Sequence, residues 1–345
     1  MTNQRIIVNG RVLGLRNAAA RGYLREIAGH LQPRVLVVAP RVPTQGLRGH
    51  LWEQLSLPRL IEPPALLWSP ANSGPLRVEN QVVTIHDLAC LEHPEWFEPL
   101  SAAWHGLLLP RLARRSKRVL TVSEFSRHRI VEVLGIPKEK VVAIPCGVDG
   151  GRFRPEAVAA SPSVRRKYRL PADYVLFAGS VEARTNLRRL MNAWGRIARR
   201  YADLVLCIAA GDGHILGKAG MEKMPVRVRQ LATVDEDDLP ALYAGALAFI
   251  LPSLYEASGS TLLEAMACGA PVIAARAAAL PELAGEAAIL VDPLDVDSIE
   301  WGLTEVLDDG ALREEMRRKG LERIRSFGWR RTAERVWAEL TQAAG

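Results

Sequence analysis

Two α/β domains, each a parallel sheet wound on both faces by helices, are the fold class this sequence predicts. Three observations carry that reading. The chain has 345 residues, more than one core usually holds. Short apolar, β-branched runs alternate with longer stretches of helical period. The alternation breaks once, over the polar, Pro-containing stretch 152–171. The break predicts a first domain over 1–155 and a second over 165–328, with a final helix at 329–345 packing back on the first.

The strands come in order. In the first half the runs at 5–9, 35–39, 66–68, 82–85, 119–122 and 141–144 read as strands. In the second half the runs are 174–178, 204–209, 226–231, 248–251, 272–274 and 288–291. Most are apolar throughout rather than alternating, as in strands buried on both faces. Ser123 reads as the cap of the helix that follows it, and Asp297 or Ser298 as the cap of a helix running to Leu307. The aspartates Asp292, Asp295 and Asp297 suit capping and loop solvation better than a metal. From Thr261 the apolar positions Leu262, Leu263, Ala265, Met266 and Ala267 predict a buried helix stopped at Gly269.

Composition narrows the function classes. Apolar residues make up 48% and charged residues 24%, the balance of a globular protein. No run approaches the length of a membrane helix, and the N-terminus reads as a polar lead into a strand rather than a signal peptide. Cys90, Cys146, Cys207 and Cys268 are scattered, which favours buried thiols in a reducing cytoplasm. Histidine spacing fits no zinc motif, so no metal is expected. The net charge is +7, and residues 1–150 hold all of it, with 19 basic against 12 acidic residues. The cluster Arg111, Arg114, Arg115, Lys117 and Arg118 reads first as a solvated helix face and second as a face for an anionic membrane or acceptor. No nucleic-acid motif accompanies it. Trp52, Trp68, Trp96 and Trp104 read as core, with an acceptor groove as the second use. Gly211-Asp212-Gly213 follows a strand with the wrong spacing for a dinucleotide fingerprint and reads as a loop on the nucleotide side.

The richest stretch is Tyr255–Ala275, YEASGSTLLEAMACGAPVIAA. A loop of small residues delivers a helix N-terminus at the carboxyl end of a parallel strand. Free N–H groups and the positive end of the dipole suit a phosphate there, and small residues let it approach. Ligands in open α/β sheets sit at that edge. Glu256 and Glu264 flank the loop. Carboxylates so placed would accept hydrogen bonds from hydroxyls rather than face the phosphate. From local physics alone, a loop charge and a helix-start charge explain them equally well.

This stretch resembles the E-x(7)-E loop of the group 1 glycosyltransferases (family 4). VVTIHDLACLEHPEWF, TVSEFSRHRI, IPCGVD, YVLFAGSVEARTNLRRL, LPALYAGALAFILPSLYE and LPELAGEAAILVDPLD resemble other segments of that family, in order across nearly the whole chain. The resemblance implies the GT-B fold, two Rossmann-like domains facing across a cleft. It implies retaining, metal-independent transfer of a hexose of mannose, rhamnose or glucose type from a nucleotide-diphospho-sugar to a glycan or lipid-linked acceptor, without a cofactor. Transfer would proceed by front-face attack with no protein nucleophile. By resemblance His86 and Glu256 are the catalytic positions at the donor sugar, and Glu264 grips the ribose. Gly179, Arg184, Ser258, Gly259, Ser260, Thr261 and Leu262 would complete the donor site. The basic half would face the acceptor.

The chain departs from the family in three loops. Ala257 and Ser258 stand for Gly and Phe, Thr185 for the diphosphate-binding lysine, and Ala19 for a glycine at a helix start. An alanine at 257 is strained if the position needs positive φ. These departures predict weakened donor binding. They leave a changed donor, a deliberately modified chain and a catalytically silent binding or scaffold protein open, and they predict that Ala257→Gly, Thr185→Lys and Ala19→Gly tighten the donor.

Overall fold

A computed structural model describes residues 5–14, 19–44, 46–210, 223–231 and 233–345. It divides into two compact units, 1–147 with 329–345, and 148–328.

The first unit holds β1 (Ile6–Asn9), β2 (Val35–Val38), β3 (Leu66–Ser69), β4 (Gln81–Thr84), β5 (Arg118–Thr121) and β6 (Val141–Ala143). They form one parallel sheet in the order β2-β1-β3-β4-β5-β6. The order reverses between β1 and β3. Both faces are covered, so Val83, Ile85, Val119 and Leu120 are fully buried. Ser123 caps the helix Glu124–Leu134 by accepting the Ser126 N–H, and Gly135 ends it at φ 60°. The last helix, Trp329–Ala344, lies on this unit. Lys117 Nζ donates to Ala343 O at 2.8 Å, and Thr332 Oγ1 donates to Pro145 O at 2.9 Å.

The second unit holds β7 (Tyr174–Ala178), β8 (Val205–Ala209), β9 (Val228–Leu231), β10 (Ala248–Leu251), β11 (Val272–Ala275) and β12 (Ala288–Val291). The sheet is again parallel, in the order β12-β11-β10-β7-β8-β9, and it reverses between β7 and β10. The helix Leu187–Ile197 buries Leu190, Met191, Trp194 and Ile197 against it at i, i+1, i+4 and i+7. The polar stretch 152–171 carries the 3-10 turn Pro155–Ala160 and the helix Ser161–Tyr168, and Lys167 pairs with Asp235 and Asp238.

All twelve predicted runs are strands, with ends moved by two residues at most. One cap differs. The helix Val296–Asp308 is capped by Asp295, whose side chain accepts the Asp297 N–H. Ser298 Oγ instead accepts the Asp292 N–H at 2.9 Å. Asp292 and Asp295 therefore hold backbone turns, and Asp297 pairs with Arg196. The basic cluster is largely tied down inside its unit. Arg114 donates to Leu134 O, Arg115 pairs with Glu79, and Arg118 donates to Glu139 O and Gln342 Oε1. Of the four tryptophans, Trp68 is fully buried and Trp52 packs against the core. Trp96 stacks on His93, and Trp104 donates to His50. All four cysteines are buried.

Candidate functional site

In the second unit the sequence-predicted residues gather where the strand order reverses. Two loops meet there. One follows β7 and carries Gly179 and Arg184; the other follows β10 and carries Glu256 to Leu262. They are stitched together: Leu254 N–H donates to Arg184 O at 2.7 Å, and Asn186 Nδ2 donates to Pro252 O at 3.0 Å. This is the carboxyl edge of a parallel sheet at its switch point. Gly179 has φ +144° with open space around it.

Gly259 starts the helix Ser260–Ala267. Its φ is +55°, and a Cβ there would stand 2.5 Å from Leu283 Cδ1, so only glycine fits. No side chain caps the helix. The Leu263 N–H is the first to find its carbonyl, on Gly259. The amides of Ser260, Thr261 and Leu262 precede it and lack intrahelical acceptors. Glu256 Oε1 accepts the Gly259 N–H at 3.3 Å, which sets the turn in front of them. Ser258, Glu256 and Thr261 are half-buried, and Ser260 is exposed. One helical turn on, Glu264 Oε2 accepts from Tyr243 Oη at 3.2 Å. Burial raises the Glu264 carboxyl to about 7, against the pull of Tyr243 and Arg152.

Two of the departures, Ala257 and Thr185, can be read in the local structure. Ala257 is buried and is not among the residues with positive φ, so the expected strain is absent. Thr185 is 6% exposed and closes a capping box with Glu182: its Oγ1 donates to Glu182 O at 2.8 Å and accepts the Glu182 N–H at 3.3 Å. These bonds shape the loop. Arg184 is the neighbouring cation, with Nε 2.6 Å from Glu182 Oε2. Ala19 opens the helix Ala19–Leu31. The Gly211–Gly213 loop lies outside the described residues.

His86 belongs to the first unit, just past β4. Its Nε2 is 2.9 Å from Pro70 O, and its N–H donates to Asn72 Oδ1 at 2.6 Å. The Tyr23 ring meets it edge-on, 4.8 Å between centroids. A carbonyl only accepts, so Nε2 carries the proton. Burial lowers the His86 pKa, outweighing Pro70 and Asp87. The neutral ring then presents Nδ1 as an acceptor, suited to a hydroxyl.

Sequence reasoning missed Tyr243 and Asn72 as partners of these groups, together with a buried polar cluster around Glu53. The only local sign was an acid inside the apolar run LWEQLSL. Among the described residues no group of three His, Cys, Asp or Glu could hold a metal, and no helix is long and apolar enough to cross a membrane.

The family profile described as "Glycosyl transferases group 1" matches residues 163–323, and "Glycosyltransferase Family 4" matches residues 18–152. The O-antigen chain mannosyltransferase B of Escherichia coli is 32% identical over 265 residues, spanning 74% of this chain and 68% of that protein. The chain belongs to the group 1 glycosyltransferases. Solved structures agree on the fold. A sucrose-phosphate synthase of Thermosynechococcus elongatus superposes with a TM-score of 0.75 at 18% identity, covering 98% of each chain. The HepE protein of Anabaena, solved with UDP and glucose, gives 0.74 at 16% identity, covering 98% of this chain and 99% of that one. Within this group 1 glycosyltransferase, the switch-point loops of the second unit are the candidate donor site.

Proposed function

We propose that this glycosyltransferase moves a hexose of mannose type from a nucleotide-diphospho-sugar to a glycan or lipid-linked acceptor, with retention and without a metal. Rhamnose and glucose donors are the next to try. The observation that carries the reading is the uncapped helix Ser260–Ala267 at the switch point, flanked by Glu256 and Glu264. The relative named as an O-antigen chain mannosyltransferase favours mannose.

The roles are those the family resemblance implies, and each suits the chemistry of its group. The diphosphate takes the Ser260, Thr261 and Leu262 amides, and Arg184 adds a charge. These groups stabilise the leaving phosphate as negative charge develops on it. Glu264, once ionised, accepts from ribose hydroxyls, and Glu256 from the donor sugar. His86 Nδ1 accepts a sugar hydroxyl near the reacting carbon. No protein nucleophile takes part; the acceptor attacks the face that the phosphate leaves. The silent binding or scaffold protein is the second reading; the absence of strain at Ala257 and the capping box at Thr185 weigh against it, while Ala19 and Ser258 still favour it.

A cytoplasmic setting with a lipid-linked acceptor completes the proposal. Leu47, Leu51 and Leu55 recur every fourth residue along 46–56 and are exposed, as are Leu100 and Leu107 on the helix Pro99–Arg115. Such leucines beside Arg48 and Arg111 suit an anionic membrane surface. Vesicle co-sedimentation that is indifferent to salt and to Leu47→Ser/Leu51→Ser would remove this part.

Calorimetry with GDP-mannose and UDP-glucose tests the core. Micromolar binding, then transfer in EDTA with the anomeric configuration kept by proton NMR, is the expected result. Heat from no donor would favour the silent binding protein instead.

A further inference from the structure

Glu53 has no part in the chemistry above, yet its side chain is fully buried in the first unit. A buried carboxylate carries a heavy desolvation penalty unless it is paired. Its Oε1 accepts from Asn9 Nδ2 at 2.6 Å, Arg11 Nε at 3.2 Å and Ser73 Oγ at 3.0 Å. Arg11 Nη2 also donates to Ser73 Oγ, at 2.7 Å. The other oxygen, Oε2, has no hydrogen-bond partner among the described residues. It stands 3.8 Å from His50 Nδ1, which takes the Trp104 indole N–H at 3.1 Å. Burial works against ionisation here, but the neighbouring His50, the Arg11 charge and the Asn9 and Ser73 hydrogen bonds outweigh it and hold the carboxyl below its usual range.

The cluster sits where the first sheet reverses, between the ends of β1 and β3. Asn9 Nδ2 also reaches Ser69 Oγ, the end of β3, at 3.4 Å. The space enclosed by Asn9, Arg11, Glu53, Pro70 and Ser73 is too tight for a water molecule. No ligand enters it. An apolar plug of equal volume would stabilise the unit at least as well. What a polar cluster adds is direction, because each bond has one geometry.

The segment it directs is the turn 70–73. Ser73 is anchored in the cluster. Pro70 and Asn72, in the same turn, make the two hydrogen bonds that hold His86. Asn72 is kept at φ +50° with its N–H on Thr84 O at 3.0 Å. The turn is thus pinned by Glu53 at one end and touches His86 at the other. We propose that Glu53 is a positioning residue. Through Ser73 and Arg11 it fixes the turn 70–73, which keeps the proton of His86 on Nε2 and leaves Nδ1 as the acceptor.

The consequence for turnover rests on the role given to His86; the positioning itself does not. The test uses the full chain labelled with ¹⁵N-histidine, the His86 signals being assigned by their loss in His86→Asn. Wild type is expected to show one neutral tautomer, protonated at Nε2. Ser73→Ala and Glu53→Gln should show a mixture. With GDP-mannose their kcat should fall about 2- to 10-fold, in proportion to the protein that leaves the Nε2-protonated tautomer, with KM for the donor nearly unchanged. Should Glu53→Gln fail to fold, Ser73→Ala decides, since it leaves the Glu53–Arg11 pair in place. An unchanged single tautomer in folded Ser73→Ala overturns the proposal. A mixed tautomer with wild-type kcat upholds the positioning and overturns only the role of His86.

Discussion

Gly259→Ala and Ala257→Gly form a matched pair that separates this structure from family pattern. At 259 the added methyl meets two obstacles. The backbone sits at φ +55°, which costs an L-residue about 1–2 kcal/mol. The Cβ would lie 2.5 Å from Leu283 Cδ1, and Leu283 is itself buried, so overpacking adds about 1–3 kcal/mol. The reduced freedom of the unfolded chain returns about 0.4–1 kcal/mol. The net loss is about 2–4 kcal/mol, worth about 10 °C in the melting of the second unit. Donor affinity falls as well, because the Ser260–Leu262 amides move. At 257 the family glycine should bring nothing. Ala257 is 4% exposed with an ordinary φ, so its removal costs about 1–2 kcal/mol in lost burial and added chain entropy. Calorimetric melting and GDP-mannose titration of both variants are the assays. A Gly259→Ala protein melting within about 1 °C of wild type would refute the reasoning. So would an Ala257→Gly protein that binds the donor more tightly.

Thr185→Lys breaks the capping box and buries an ammonium, costing about 2–4 kcal/mol by thermal melting without tightening the donor. Glu264 is neutral at low pH in the free protein, so KM for the donor falls as pH climbs through about 7, and Glu264→Gln flattens that profile. The same raised pKa gives stability that is full below 4.5 and lost as pH rises through about 7, measurable as pH-dependent melting. His86 runs the other way. Its pKa is lowered, so its stability is full above 6.5 and lost as pH falls, and kcat drops on the acid side as Nδ1 gains a proton. His86→Asn should cut kcat about 100-fold and abolish that acid limb.

Fold class was legible because the strands are apolar on both faces and leave no competing pattern. β7 (YVLFA) and β10 (AFIL) could be placed to the residue. The start of the next helix was legible to within one residue, read at Thr261 and found at Ser260, because the small residues before it break one period and start another. The cap at Asp295 was not, since Asp295, Asp297 and Ser298 are chemically equivalent candidates and only the path of the backbone chooses. The strain expected at Ala257 came from a residue pattern without its dihedral angles. Pattern also could not show that Thr185 bonds back to Glu182. Glu53 lay hidden for a deeper reason. Its partners Asn9, Arg11 and Ser73 lie 42 to 44 residues before it and 20 after it, and no local period reports such a cluster.

The amides of Ser260, Thr261 and Leu262 give the most direct test of the central claim. Their ¹⁵N resonances, followed during a titration with GDP-mannose and in parallel with UDP-glucose, should move together and saturate at the calorimetric affinity, as N–H groups do on taking up a phosphate. A donor that binds and turns over while these three signals stay still would contradict the account.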